Sequence, residues 1–286
     1  MLSVALVGVG DMGSAMLPHL VAAGFTVSAY DTEPSRQQAA VIAGAVHSQS
    51  AADCARHADL VLCLVMSADI PAALFGENGA LTAARPGSVV VVGSTTTPAM
   101  ARAIEAHAPD GVLLVDAPIV GGVRYAQEKS VTFLVGGQPE AVDMADVALT
   151  VLGTVERVGP YGSGVAYKLI TNAFVMAAEV GLREALDLTD LLGGDYRTAL
   201  RLFGVGPMAA VVNRALDESN PRPLRASAED FDTLLSVVDD PAALPISAAG
   251  RNRLWAAVNA EDGYEPMFVD LTRSTTALPG YRKRSQ

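Results

Sequence analysis

One run of six residues constrains this chain more than any other feature: Gly8-Val9-Gly10-Asp11-Met12-Gly13. It follows directly on the apolar, β-branched stretch Leu2–Val7 and opens the helically spaced stretch Met12–Ala23. In that strand–turn–helix setting the pattern G-x-G-x-x-G has a physical meaning. The first glycine permits the tight turn, the second lets a pyrophosphate approach the backbone, and the third lets helix and strand pack closely. The helix start also presents N–H groups that lack intrahelical partners and suit phosphate oxygens. Gly8, Val9, Gly10, Asp11, Met12 and Gly13 are therefore candidate contacts to a dinucleotide cofactor. Asp31 stands 18 residues beyond Gly13, at the end of the strand pattern Phe25–Tyr30. A carboxylate there accepts hydrogen bonds from the adenine-ribose hydroxyls and repels a 2′-phosphate. The spacing favours NAD, while the nearby Arg36 keeps NADP open. A turn or helix-cap role for Asp31, ahead of Thr32-Glu33-Pro34, is the competing reading.

The first half continues in the same texture. Apolar runs recur at Leu60–Val65, Ser88–Val92, Val112–Val115 and Val131–Val135, with helical spacing over Pro98–Ala108 and Pro139–Leu149. Runs with little alternation are expected of strands covered on both faces, and strand–helix alternation predicts a doubly wound, mostly parallel sheet. The texture changes at Gly159-Pro160-Tyr161-Gly162-Ser163-Gly164. Beyond it the spacing predicts a long helix over about Val165–Leu192 and further helices over Asp195–Phe203, Pro207–Leu216, Glu229–Val238 and Pro245–Asn259. The expected organisation is an α/β domain over 1–160, a connecting helix over 161–193 and an all-α domain over 194–286.

Composition excludes several classes. The net charge of −11 argues against nucleic acid and against anionic membrane surfaces as partners. No uninterrupted apolar run reaches the ~18 residues of a membrane span. Two cysteines, Cys54 and Cys63, cannot staple 286 residues, so a reducing cytoplasm is the expected location. His19, His47, His57 and His107 lack metal-ligand spacing, so no metal is expected, and the absence of G-x-S-x-G removes the simplest hydrolase reading.

Four blocks in order resemble the β-hydroxyacid dehydrogenase family, which includes 3-hydroxyisobutyrate dehydrogenase, tartronate semialdehyde reductase and 6-phosphogluconate dehydrogenase. Gly8–Gly13 with Met16 is similar to its cofactor loop, and Gly93-Ser94-Thr95-Thr96-Thr97-Pro98 to its segment beside the nicotinamide. Asp116-Ala117-Pro118-Ile119-Val120-Gly121-Gly122 resembles its substrate loop, and Gly162-Ser163-Gly164-Val165-Ala166-Tyr167-Lys168-Leu169-Ile170-Thr171-Asn172 its catalytic motif. The chain is too short for the long C-terminal domain of 6-phosphogluconate dehydrogenase, so the shorter members are the better guide. The resemblance implies a Rossmann domain, a substrate cleft between the domains, and a homodimer or homotetramer. It implies Val65, Met66 and Thr95 as further cofactor contacts, and Ser94, Val120, Gly121 and Gly122 as the substrate loop. It also implies Lys168 as general acid/base, with Asn172 either hydrogen-bonding the substrate oxygen or orienting Lys168, and a small hydroxy acid, alcohol or semialdehyde as substrate.

The residues agree with that chemistry. Lys168 and Asn172 are four apart and share one helical face. A lysine, with an ordinary pKa of about 10.4, gains acid/base range when desolvation or a neighbouring cation lowers it. The bland alternative is a lysine snorkelling to solvent from a connecting helix. Arg124, two residues past Gly122, is either a charged contact for an acid or a solvated surface arginine. Three departures bear on the substrate: Val120 stands where the family usually has serine, Glu229-Asp230 where it commonly has Lys-Asp, and Glu128-Lys129-Ser130 lacks the family's glycine. Together they suggest a larger, less acidic or cationic substrate. An imine reductase using NADPH is the runner-up, and a non-catalytic nucleotide-binding module is the reading from another class.

Overall fold

The computed structural model describes residues 2–218, 222–260 and 263–272. The chain divides into two compact units, Met1–Lys168 and Leu169–Gln286, so the division falls inside the long helix. It falls eight residues beyond position 160, because the first turns of that helix pack with the sheet that precedes them.

The first unit is a nine-stranded sheet. Its strands are β1 (Ser3–Val7), β2 (Thr26–Tyr30), β3 (Val46–His47), β4 (Leu60–Cys63), β5 (Val89–Val92), β6 (Leu113–Asp116), β7 (Ile119–Val120), β8 (Val131–Gly137) and β9 (Gly153–Gly159). The order is β3-β2-β1-β4-β5-β6-β8-β7, with β9 also paired to β8. Strands β1 to β6 pair in parallel, β8 runs antiparallel to β6 and β7, and β9 is parallel to β8. The connecting helices are α1 (Asp11–Ala22), α2 (Pro34–Ile42), α3 (Ala51–Ala55), α4 (Ile70–Leu74), α5 (Ala80–Ala83), α6 (Pro98–His107), α7 (Val123–Gln127) and α8 (Pro139–Leu152).

Every residue of β4 and β5 is buried, as their unbroken apolar runs require. Alternate side chains go to opposite faces. Val4, Leu6, Leu60, Leu62, Val89 and Val91 pack with Met16 and Leu20 of α1 and Leu149 of α8. Ala5, Val7, Val61, Cys63, Val90 and Val92 pack with α3, α4, α5 and Ile104 of α6. Helices thus cover both faces, which makes the sheet doubly wound. β1 has β2 on one side and β4 on the other, so the winding reverses there and a crevice opens beyond their carboxyl ends, where the glycine loop lies.

The second unit is helical among its described residues. It contains the rest of α9 (Ser163–Leu191), then α10 (Tyr196–Phe203), α11 (Ala209–Leu216), α12 (Leu224–Leu235) and α13 (Pro245–Val258). The Asp195 side chain caps α10 by accepting from Thr198 N at 2.8 Å. α12 packs Leu224, Ala228, Phe231 and Leu234 inward, as α13 does Leu254 and Ala257. Arg183 of α9 is 1% exposed and donates to Asp187, to the Leu271 carbonyl at 3.0 Å and to the Tyr196 hydroxyl at 2.6 Å. Arg253 supports the same cluster by pairing with Asp187. α9 is long and apolar enough, by length and composition only, to cross a membrane, although no uninterrupted apolar run of that length exists. It buries Glu179 and Arg183 against Arg214 and Asp187 within the helical unit.

Candidate active site

The glycine loop leaves β1 and enters α1 within a few residues. Gly8 N donates to the Tyr30 carbonyl at 2.9 Å, tying the loop to β2. Gly10 occupies the N-cap of α1, so no capping side chain fills the donors of the first turn. A Cβ on Gly13 would run into the carbonyl oxygen of Gly8, closer than the 3.0 Å that real Cβ atoms keep. The third glycine is therefore what lets α1 start against the loop. A glycine-lined cradle at an open helix N-terminus fits the pyrophosphate of a dinucleotide.

Asp31 closes the far side of this loop. It is 8% exposed, and Oδ2 accepts from Val9 N at 2.7 Å while Oδ1 accepts from Glu33 N at 3.0 Å. The side chain thus braces the loop as well as standing at the end of β2. Arg36 pairs with Glu33 at 3.1 Å and lies across the loop, with Nη1 3.3 Å from where a Gly10 Cβ would be.

The ends of β4 and β5 supply the next wall. The strand pattern expected over Leu60–Val65 stops at Cys63, which leaves Val65 half-buried and Met66 exposed in the following loop. Ser94 is buried and donates to the Val65 carbonyl at 2.7 Å, so this hydroxyl ties the two segments together. Thr95 is half-buried, and Thr97 caps α6 by accepting from Met100 N at 3.1 Å. Burial pushes the thiols of Cys63 and Cys54 up to about 11 and about 12, which leaves both as packing residues.

The substrate-loop candidates follow β6. Val120 is 40% exposed at the end of β7, and Gly121 and Gly122 lead into α7. Arg124 pairs with Glu128, the residue that follows α7, at 2.9 Å, and both side chains are exposed.

Asp116 has no role of its own in the sequence reading beyond opening the substrate-loop block, yet its carboxylate receives the start of α9. Oδ1 accepts from Gly162 N at 2.8 Å and Oδ2 from Val165 N at 2.7 Å. Gly162 makes this turn at φ +91°, a region that favours glycine. Lys168 lies one turn beyond Val165 and is half-buried. Asn172 follows one turn later, and its buried Nδ2 has no hydrogen-bond partner among the described residues. Buried amide donors are rarely left so without a water, an ion or a ligand to accept from them.

Glu229 sits on α12 and is half-buried. Burial pushes its carboxyl up, Arg225 pulls it down, and Asp230, Asp232 and Glu265 push it up further. Asp230 is paired with Arg222 at 2.8 Å. The structure therefore brings Gly8–Gly13, Asp31, Val65, Met66, Ser94, Thr95, Val120–Gly122, Arg124 and Lys168 into one unit, and assigns Asn172 and Glu229 to the other.

Residues 3–162 match the family described as the NAD binding domain of 6-phosphogluconate dehydrogenase. The chain is 31% identical to an L-threonate dehydrogenase from Cupriavidus necator, over 85% of this chain and 95% of that protein. It is 32% identical to an NAD-dependent L-serine dehydrogenase from Pseudomonas aeruginosa, over 78% of this chain and 75% of that one. Its fold matches the structure of 3-hydroxyisobutyrate dehydrogenase from Mycobacterium tuberculosis with L-serine, at a TM-score of 0.78 and 22% identity, covering 97% of this chain and 100% of that one.

Proposed function

The chain belongs to the 3-hydroxyisobutyrate dehydrogenase-like family of NAD(P)-dependent oxidoreductases that act on hydroxy acids, and within it we propose that Lys168 is the general acid/base. One observation carries this reading. A dinucleotide cradle and a half-buried lysine belong to the same unit, and the helix bearing the lysine is tied to the strand that leads into the substrate loop. The chemistry supplied by the bound dinucleotide is hydride acceptance or donation at its nicotinamide ring. Lys168 Nζ takes the hydroxyl proton as the alcohol becomes a carbonyl, and returns it in the reverse direction. Asn172 offers its Nδ2 to the substrate oxygen.

The loop Gly8–Gly13 would hold the pyrophosphate, with Val65, Met66 and Thr95 beside the rest of the cofactor. Asp31 favours NAD, since a carboxylate at the end of β2 repels a 2′-phosphate; Arg36, held by Glu33, is the residue that would admit NADP. Ser94, Gly121 and Gly122 position the substrate. The Val120 side chain offers an acid no hydrogen bond, so backbone N–H groups carry acid recognition in this loop, with Arg124, in an exposed pair with Glu128 that an acid can displace, as the charged contact.

The expected assembly is a homodimer or homotetramer through the helical unit, whose α9 exposes Ile170, Phe174 and Leu191. Two buried, unbridged cysteines accord with a cytoplasmic location. An initial-rate panel tests the reading, pairing small 3-hydroxy acids and their amides, esters and amino analogues with NAD and NADP. Turnover of free acids with NAD is the expected result. Reduction of cyclic imines with NADPH, and no oxidation of any hydroxy acid, would replace it with an imine reductase.

A further inference from the structure

Two stretches that read as separate motifs, Asp116-Ala117-Pro118 and Gly162-Ser163-Gly164, are joined by one side chain. A helix normally begins with a side chain of its own satisfying the first backbone N–H groups. α9 has none there, because its N-cap position is Gly162. The carboxylate of Asp116 arrives instead from 46 and 49 residues earlier in the chain, accepting from Gly162 N and Val165 N. It is 1% exposed at the end of β6. The surroundings are shaped to admit it. A Cβ on Gly136 would collide with Asp116 Oδ1, and one on Gly164 would lie 2.8 Å from Oδ2 and collide with the Leu134 carbonyl oxygen. The charge also faces the positive end of the α9 dipole. Burial pushes this carboxyl upward and the backbone donors at Val165, Gly162 and Gly164 pull it back.

Only Ser163–Lys168 of α9 belongs to the sheet-bearing unit. Within that piece the carboxylate grips the first turn, and Lys168 is the next residue one turn along. Helix ends without caps fray within their first turn. The place of Nζ relative to the ends of β5 and β6 therefore depends on this grip. We propose that Asp116 is the positioning residue for Lys168, holding the first turn of α9 so that the amine meets the substrate oxygen in register. The inference rests on the reading of Lys168 as acid/base.

The test compares wild type with Asp116→Asn, Asp116→Ala, Lys168→Ala and the Asp116→Ala/Lys168→Ala pair. It records kcat, KM, cofactor Kd and thermal midpoint on the best substrate of the panel. A misplacement of about 1 Å costs on the order of 100-fold in rate, so Asp116→Ala should lower kcat by about that factor with cofactor Kd within about twofold. Asp116→Asn keeps one acceptor oxygen but turns an NH2 toward the second donor, so it should recover roughly tenfold of the loss while remaining folded. The pair should be no slower than Lys168→Ala alone. If folded Asp116→Asn and Asp116→Ala keep wild-type kcat, or if the pair loses a further ~100-fold below Lys168→Ala, the positioning role is wrong. If Asp116→Ala does not fold, Asp116→Asn decides alone: a wild-type kcat overturns the inference. If Lys168→Ala itself keeps wild-type kcat, the lysine reading fails instead.

Discussion

Gly13→Ala isolates the close contact on which the cofactor loop depends. By propensity alone the substitution should help, since alanine gains up to about 1 kcal/mol over glycine inside a helix. The structure predicts the opposite sign. The new Cβ would collide with the Gly8 carbonyl oxygen and stand 3.1 Å from the Gly8 carbonyl carbon. Both are backbone atoms, so no side chain can swing away, and loop and helix must separate by about 1 Å to restore contact distance. Overpacking of this kind costs about 1–3 kcal/mol, enough to cancel the propensity gain or exceed it. The same separation disturbs the N–H groups proposed to meet the pyrophosphate, and about 1.4 kcal/mol lost there is tenfold in Kd. Calorimetric titration with NADH should therefore show Kd raised at least about tenfold, beside a thermal midpoint no higher than wild type. Gly24→Ala is the control. Its φ of +91° makes alanine strained, but no atom lies within 4 Å of the new Cβ, so stability should fall while Kd stays put. An unchanged Kd in Gly13→Ala, with a raised midpoint, would refute the reasoning.

Three further outcomes follow from particular contacts. Arg183→Ala removes a buried guanidinium and strips Leu271 O and the Tyr196 hydroxyl of a donor, so chemical denaturation should show a loss of about 3–5 kcal/mol; a loss below about 1 would contradict the buried network. Cys54 and Cys63, pushed by burial to about 12 and about 11, should both resist a thiol reagent near pH ~8 in the native protein and react once it is denatured; native labelling of either would place it outside the core. Val120→Ser puts a hydroxyl at an exposed position of the proposed substrate loop. One hydrogen bond to a charged group is worth about 1.5–3 kcal/mol, so KM for small hydroxy acids should fall about tenfold or more, and an unchanged KM would remove Val120 from the acid-binding site.

What the sequence made legible was local. The turn at Gly8–Gly13 and the strand and helix around it depend on neighbours a few residues apart, and β4 and β5 announce themselves as apolar runs because both their faces are covered. β7 and β9 went unseen because they exist as partners of β8. Ile119 pairs with Phe133 and Gly153 with Val131, pairings that no short window contains. α2 buries only Ala40 and so shows no apolar stripe. α12 starts at Leu224, ahead of the expected Glu229, and its first turn is hidden in the sequence because Ser227, fully buried, interrupts the apolar pattern of its inner face. The Arg124–Glu128 pair was available from spacing alone, four residues apart at the end of one helix. Asp116 was not, since its partners lie across nearly 50 residues of chain.

The central claim is that a lysine on α9 moves the proton in a dinucleotide-dependent oxidation. The most direct measurement is kcat for Lys168→Ala at saturating NAD and hydroxy acid, with the variant's NAD affinity measured alongside. A general acid/base contributes about 10²–10⁴-fold, so kcat should fall by that range while NAD binds as tightly as to wild type. A variant that binds NAD normally and turns over at the wild-type rate would contradict the account.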